Sequence, residues 1–500
     1  MRGLHINPMS TEADISSTIV WFRRDLRLRD NPALHWACSQ KHPVICIYIH
    51  DTGEPEWSNG GASSWWLHHS LTSLTADLKK AGSRLRLFSG DTESVLDQII
   101  DSTKATALVW NRRYEPTAIA LDTKLKTKFT DQGIEVVSRP GNLTHEPWQV
   151  TRDKEQPYRV FTAYWRASLK KDSLPLTPTV RSIESYPGKI SGEKSLSTFE
   201  LLPSENKVEK WDTQFASHWT PGESGAAKNL NSLLGNRIEG YQLSRDIPSE
   251  PGTSQLSPHL AFGEITPRQI QATVAKKLSN NTLSSDDNVE SFLREISWRE
   301  FAYHLLFHFP HMVDEPLDVR FKKFPWKKIN QGKLTRWQQG QTGIPLVDAG
   351  MRQLWQTGWM HNRVRMVVAS LLIKNMGYHW LEGARWFWDT LVDADLASNS
   401  MGWQWVAGSG ADAAPYFRVF NPVRQGERFD PEGKYVRQWV PEIASLSNKH
   451  IHSPWTASSA ELAQAAIILG ETYPKPIVDL KTTRLEALER FSKIKTTIAK

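Results

Sequence analysis

With 500 residues, 61 Lys and Arg against 54 Asp and Glu, and a net charge of +7, the chain exceeds what one hydrophobic core organises and is basic enough to suit a polyanionic partner. Its two cysteines, Cys38 and Cys46, exclude a disulfide framework and a four-cysteine metal or iron–sulfur cluster, so a reducing compartment such as the cytoplasm is expected. No run of ~18 apolar residues marks a membrane span, and residues 1–16, with Glu12 and Asp14, lack the apolar centre of a secretory signal and read as a flexible N-terminus.

From Thr18 onward short β-branched apolar runs alternate with longer amphipathic ones. Strands are predicted at Thr18 to Phe22, Val44 to His50, Arg84 to Phe88, Ala107 to Trp110 and Ile134 to Val137. Helices are predicted near Asn31 to Ser39, Ser63 to Lys80, Thr92 to Ser102 and Pro116 to Asp131. Residues 17–141 thus read as an α/β domain with a doubly wound, Rossmann-like parallel sheet, a fold that takes ligands at the carboxyl ends of its strands. Two charged runs fall on such edges, Trp21 to Arg27 and Trp110 to Pro116, and Arg112 and Arg113 read equally well as solvated loop charges. Over residues 142–227 the periodicity fades into Pro, Ser, Lys and Glu, giving an interdomain connector with one aromatic helix at Tyr158 to Trp165. Residues 228–500 are almost wholly helical in pattern and make a second, all-α domain, with a helical tail after Ser453.

Within the second domain the stretch Asp393 to Arg418 has a composition that stability alone does not favour. Ser398, Asn399, Ser400 and Gly402 are weak helix formers, while small residues let a flat ligand approach the backbone and Trp403 and Trp405 add oxidisable aromatic surface. A buried planar redox cofactor fits it. Thr253, Ser254 and Ser257 cluster hydroxyls before a helix beginning at Pro258, which suits phosphate or serves merely as a capping turn. Glu295, Trp298 and Arg299 at i, i+3 and i+4 share a helix face, where a Glu295–Arg299 salt bridge would explain two of the three.

The segments Gly252 to Pro258, Glu295 to Phe301, Thr357 to Arg363 and Asp393 to Arg418, in this order and spacing, resemble the cryptochrome/photolyase flavoproteins. The likeness runs from about Thr18 to Glu442 and is strongest to bacterial cyclobutane pyrimidine dimer photolyases of classes I and III. Trp386 to Leu391 resembles the plant-cryptochrome side and favours class III. The resemblance implies FAD held by Tyr241, Arg245, Thr253, Ser254, Gln255, Leu256, Ser257, Arg299, Asn362, Arg365, Asp393, Ala394, Asp395 and Asn399. Arg365 would pair with Asp393 beside the ring, and Asn399 would face its reactive edge. Glu295 would hydrogen-bond the damaged pyrimidine pair, with Trp298, Arg363, Met366 and Trp405 completing the substrate wall. Half of the 22 tryptophans lie between Ser291 and Val440, and Trp403, Trp380 and Trp326 match the family's inward electron relay.

The activity expected from this resemblance is light-driven repair of pyrimidine dimers in DNA by a monomer associated with the bacterial nucleoid. Basic residues of the Arg418 to Arg428 loop would touch phosphates without reading sequence. The resemblance also implies an antenna chromophore on the first domain, methenyltetrahydrofolate first and a deazaflavin second, although Thr117 and Ala118 replace the folate-gripping pair of the class I pattern. No metal is expected. The alternatives are a cryptochrome-type blue-light photoreceptor without repair and a non-photochemical nucleotide-binding enzyme. Asn399, where plant cryptochromes carry Asp, favours repair.

Overall fold

The computed structural model describes residues 16–53, 57–203, 211–412 and 417–495, so residues 1–15 of the expected flexible N-terminus lie outside it. Five strands, β1 (Thr18–Phe22), β2 (Val44–Asp51), β3 (Leu85–Gly90), β4 (Ala107–Asn111) and β5 (Glu135–Arg139), pair in parallel in the order β3-β2-β1-β4-β5. The strands read as continuous apolar runs because helices cover both faces. Val20, Phe22, Val44 and Cys46 pack with Leu34, Trp65 and Leu71 on one side, from the helices Pro32–Ser39 and Gly61–Lys80. Their alternate neighbours Ile19, Trp21, Ile45 and Ile47 pack with Ile99, Leu125 and Phe129 on the other, from Thr92–Thr103 and Pro116–Asp131. The first helix starts one residue later than predicted because Asn31 is its cap, accepting the Leu34 N–H ahead of Pro32.

Chain connections leave β1 toward β2 on one side and β4 on the other, and that reversal opens a crevice at the carboxyl ends of β1 and β4. Much of the Trp21 to Arg27 run is interior wiring at this edge. Arg23 donates to Asp122 at 2.6 Å, and Asp122 also accepts the Trp110 indole N–H at 2.7 Å. Arg27, fully buried, donates to the Gly263 carbonyl at 2.8 Å and so ties the sheet to the helical half, as does the buried Arg268–Asp30 pair at 2.9 Å.

The stretch whose periodicity fades is folded onto the sheet edge. Val44 N–H donates to the Glu184 carbonyl at 2.7 Å, Lys194 N–H donates to the Leu87 carbonyl at 2.8 Å, and Ile183 and Phe199 enter the core beside Leu71. The predicted aromatic helix is present as Phe161–Ser168 and packs Tyr164 against Phe301, 5.3 Å between ring centres.

Beyond it the chain is helical, and the residues after Ser453 are not a tail. Ile467, Tyr473 and Ile477 are buried in the same core as Trp337 and Trp380. Phe491, in the helix Leu480–Lys495, stacks on Phe417 at 4.4 Å, and the Tyr473 hydroxyl donates to buried Asp348 at 2.8 Å. No helix among the described residues is long and apolar enough to cross a membrane.

Candidate functional site

The helix Asp287–His308 begins behind an Asp286 cap and places Glu295, Trp298 and Arg299 as their spacing predicts, but with different partners. The alternative, a Glu295–Arg299 bridge, is not made. Glu295 accepts from Arg245 at 2.5 Å, Trp298 lies flat on Phe161 with ring centres 3.7 Å apart and planes within 9°, and Arg299 turns inward. There Arg299 donates to the Asn142 and Leu260 carbonyls at 3.1 and 3.3 Å and sits 4.7 Å over Tyr303. Arg245, Arg294, Glu295 and Trp298 line a pocket of about 520 Å³. Burial pushes the Glu295 carboxyl above its usual range, with Arg245 opposing. At the same mouth Arg363 pairs with Asp246 at 2.6 Å and lies 4.3 Å over Phe429.

One turn deeper, Glu300 is buried, accepts the Thr144 N–H at 2.7 Å and lies 3.5 Å from Arg299. Burial pushes its carboxyl up to about 7, further than the guanidinium pulls it back. The folded chain therefore keeps a proton that the unfolded chain releases near the ordinary carboxylate value of about 4.3, so stability falls as the pH rises from there to about 7 and levels above it. Glu300→Gln is expected to remove that fall, worth about 1–3 kcal/mol at alkaline pH. Urea unfolding of both proteins at mildly acid and mildly alkaline pH checks it; equal pH dependence would contradict it.

The hydroxyl-rich turn is held from behind. Arg237 donates to the Pro251 and Thr253 carbonyls at 2.8 and 3.0 Å, and Asn229 donates to the Gln255 carbonyl at 3.3 Å. Gln255 itself adopts φ +53°, and Gly252 is required because a Cβ there would lie 2.2 Å from the Ser244 carbonyl oxygen. Leu256 is an anchor, buried with Tyr241, Phe292 and Ile296. The Ser254 hydroxyl accepts the Leu256 N–H at 3.3 Å, in the manner of a capping turn, and Ser257 is exposed, its hydroxyl accepting from the Trp359 indole at 3.4 Å. Trp359 belongs to the Thr357 to Arg363 segment but was given no role from the sequence; it lies three residues before the helix Asn362–Ser370, and the Arg365 guanidinium lies 5.9 Å over it.

Arg365 donates to Asp393 at 2.8 Å, the expected pair, and to the Met360 carbonyl at 2.7 Å. Asp393 is buried and its second oxygen has no partner among the described residues. Ala394 beside it is buried as well. The weak helix formers of the helix Leu396–Ala407 are explained in part by Asp395, which caps it by accepting the Ser398 N–H at 2.8 Å and also accepts the Tyr303 hydroxyl. The Asn399 amide nitrogen donates to the Ala384 carbonyl at 3.0 Å, which leaves its oxygen as the atom for a ligand. Asn362 is exposed at the first helical position, Met366 is half-buried against the core, and the Trp405 indole donates to the Asp412 carbonyl at 3.1 Å. Residues 413–416 of the stretch lie outside the described residues.

Trp403 and Trp380 are buried, Trp326 is half-buried, and all three belong to one core cluster. His379, not foreseen, stands between the outer two, 5.7 Å from Trp380 and 4.9 Å from Trp326. Gly383 lets Trp403 in: a Cβ there would lie 2.0 Å from its ring.

A second cavity, about 570 Å³, opens in the crevice at the ends of β1 and β4. Trp21, Arg24, Arg113, Thr117 and Ala118 line it from the first half, Tyr303, Asp395 and Trp388 from the second. The Arg24 Nη1 and Trp21 Nε1 donors there are buried without partners among the described residues. Neither arginine after β4 is simply solvated: Arg113 pairs with Glu115 at 3.1 Å, and Arg112 turns away to Glu146 at 3.2 Å and the Ser138 carbonyl at 2.8 Å.

Two family models match this chain, one described as DNA photolyase over residues 18–181 and one as the FAD binding domain of DNA photolyase over residues 292–493. The chain is 48% identical to a deoxyribodipyrimidine photo-lyase of Agrobacterium fabrum over 96% of this chain and 98% of that protein. The chain belongs to the photolyase/cryptochrome family. It is also 39% identical to cryptochrome-2 of Arabidopsis thaliana, over 93% of this chain and 77% of that one. Its fold is similar to a bacterial class III photolyase from Agrobacterium tumefaciens, with a TM-score of 0.92 and 46% identity over 98% of this chain and all of that one. The match to the FAD binding domain model reaches residue 493, so the likeness does not end near Glu442 as expected, in keeping with the packed carboxyl-terminal segment.

Proposed function

We propose that this photolyase-family chain is a light-driven lyase that reverts cyclobutane pyrimidine dimers in DNA, of the class III kind, with FAD as its cofactor. The observation that carries the reading is the mouth, where Glu295 and Trp298 share one pocket, and the same helical half holds the Arg365–Asp393 pair and the Asn399 amide fixed on the Ala384 carbonyl. The residues fit the cofactor: the second Asp393 oxygen and the Asn399 oxygen are open to a flat ring with N–H groups, and the Gly252 to Ser257 turn suits a diphosphate. Reduced FAD, when bound, supplies on excitation the electron that opens the cyclobutane ring and takes it back.

The protein's own part is positioning. Arg365 and Asp393 hold fixed charge at the ring, Asn399 orients against its edge, and Tyr241, Arg245 and Arg299 enclose the rest. Glu295, held in place by Arg245, hydrogen-bonds the everted pyrimidine pair. Trp298, braced by Phe161, stacks on the pair, with Met366 and Trp405 completing an apolar wall and Arg363 at a phosphate. A dimer already poorly stacked costs less to evert than an intact step, by a few kcal/mol, roughly. Trp326, Trp380 and Trp403 pass electrons inward to activate the oxidised cofactor. The crevice at β1 and β4 takes an antenna chromophore, whose carbonyl or acidic groups the Arg24 and Trp21 donors would meet.

The brace gives a prediction. Phe161→Leu keeps apolar volume but loses the stack, and dimer affinity is expected to fall by about 1 kcal/mol, roughly fivefold in Kd. Titration of a dimer-bearing oligonucleotide checks it, and an unchanged Kd would show that Trp298 needs no support. The reading as a whole is tested by dark binding of duplexes with and without one dimer. Much tighter binding of the damaged duplex is expected; equal affinities would contradict it.

A further inference from the structure

A cavity of about 1050 Å³ lies away from the mouth. It lies where the loop after Phe417, the helix Pro422–Phe429 and the start of the helix Leu480–Lys495 meet. Arg418, Arg424, Lys475, Lys481 and Arg484 line it, all exposed, and none has an ion-pair partner among the described residues. Its one acid, Asp479, is occupied: it caps the last helix, accepting the Thr482 N–H at 2.7 Å. Unpaired like charges held together repel one another, so this grouping costs stability unless an anion joins it.

The rest of the lining narrows the anion. Asn375 is buried, and its amide nitrogen donates to the Thr483 hydroxyl at 2.9 Å, while that hydroxyl donates to the Asp479 carbonyl at 2.6 Å. Because the hydroxyl proton is already used, the amide orientation is fixed and the Asn375 oxygen is left buried without a partner among the described residues, as is the Gln425 side-chain oxygen. Two unsatisfied acceptors repel a bare polyphosphate but accept N–H groups. Trp455, half-buried in the same wall, offers a stacking face. Cations for phosphates, acceptors for base N–H groups and an indole for a base face together describe a nucleic-acid strand.

We propose that this groove is a second DNA subsite, holding backbone and bases of the substrate DNA beyond the lesion. The inference rests on the reading of the chain as a DNA lyase. Continuity supports it: the helix Pro422–Phe429 puts Phe429 beneath Arg363 at the mouth and Arg424 and Gln425 in the groove, so one helix separates the two sites. The volume, at the upper end of the ~300–1,000 Å³ of ordinary small-molecule pockets, suits a length of polymer.

The test uses the flavin-loaded full chain and a Lys475→Gln, Lys481→Gln, Arg484→Gln triple variant, none of whose positions touches the mouth. Affinities are measured against salt for a short dimer-bearing oligonucleotide confined to the mouth and for a dimer-bearing duplex several turns long. The variant is expected to bind and repair the short substrate as the wild type does, and to lose about 3 from its logarithmic salt slope on the long duplex only. An unchanged slope on the long duplex, or equal losses on both substrates, would overturn the proposal. Acetylation of Lys475 and Lys481 in the wild-type protein, with and without the long duplex, gives an answer even if the variant fails to fold: protection is expected and undiminished labelling would overturn it. A wild-type protein that repairs neither substrate would instead remove the lyase reading, a separate outcome.

Discussion

Arg365→Ala is expected to purify without flavin and to unfold about 3 kcal/mol more easily than the parent protein. Asp393 has 3% of its side chain exposed, and Arg365 at 2.8 Å is its ion-pair partner. Removing the guanidinium strands a carboxylate in a site it cannot leave, and the cost of breaking such a pair is about 3–5 kcal/mol. The lower end applies because Arg365 is 24% exposed and water reaches it. The same loss removes fixed charge from the ring and frees the Met360 carbonyl, so cofactor affinity falls with stability. Arg365→Lys retains the charge without the planar fork and should lie between the two. Urea unfolding of flavin-free proteins reads the first effect and the visible spectrum the second. A yellow Arg365→Ala protein with the parent's unfolding midpoint would contradict both.

Trp403→Phe is expected to abolish light-driven reduction of the bound flavin while chemically reduced protein still repairs dimers. Trp403 is buried and stands four residues, about one turn, beyond Asn399 on the helix Leu396–Ala407, which makes it the relay tryptophan nearest the proposed ring, and no other tryptophan shares its helix face. Phe387, edge-on at 4.9 Å, has no oxidisable indole to substitute for it. Phenylalanine fills most of the same space, so a purely structural role would leave a modest change in stability and a slow but intact photoreduction. Blue illumination with an external donor, followed by loss of the oxidised flavin bands, separates the two. Bleaching at the parent rate would take Trp403 out of the relay.

Short-range pattern decided how much of the fold and the site was legible in the sequence. The five strands and four helices of the first half were readable because β-branched runs, the Asn31 cap and Pro116 are local signals. The Arg365–Asp393 pair was available through resemblance, and the geometry agrees with it. The partners of Glu295 and Trp298 were not readable, because spacing on one helix cannot say which distant element lies opposite. Arg245 and Phe161 come from 50 and 137 residues away. The contacts of Trp359 with Ser257 and Arg365 were unreadable for the same reason. The residues after Ser453 looked like a tail since their apolar positions are sparse, yet Ile467, Tyr473 and Ile477 each reach the common core.

Central to the account is that bound dimers are split by light rather than merely sensed. Purified protein, reduced with dithionite in the dark, is mixed with an oligonucleotide carrying one thymine dimer, divided, and either illuminated with blue light or kept dark. Chromatography should show the dimer converted to two thymines in the illuminated half alone. Dimers surviving illumination intact, with flavin present and reduced, would contradict the account and leave a photoreceptor in its place.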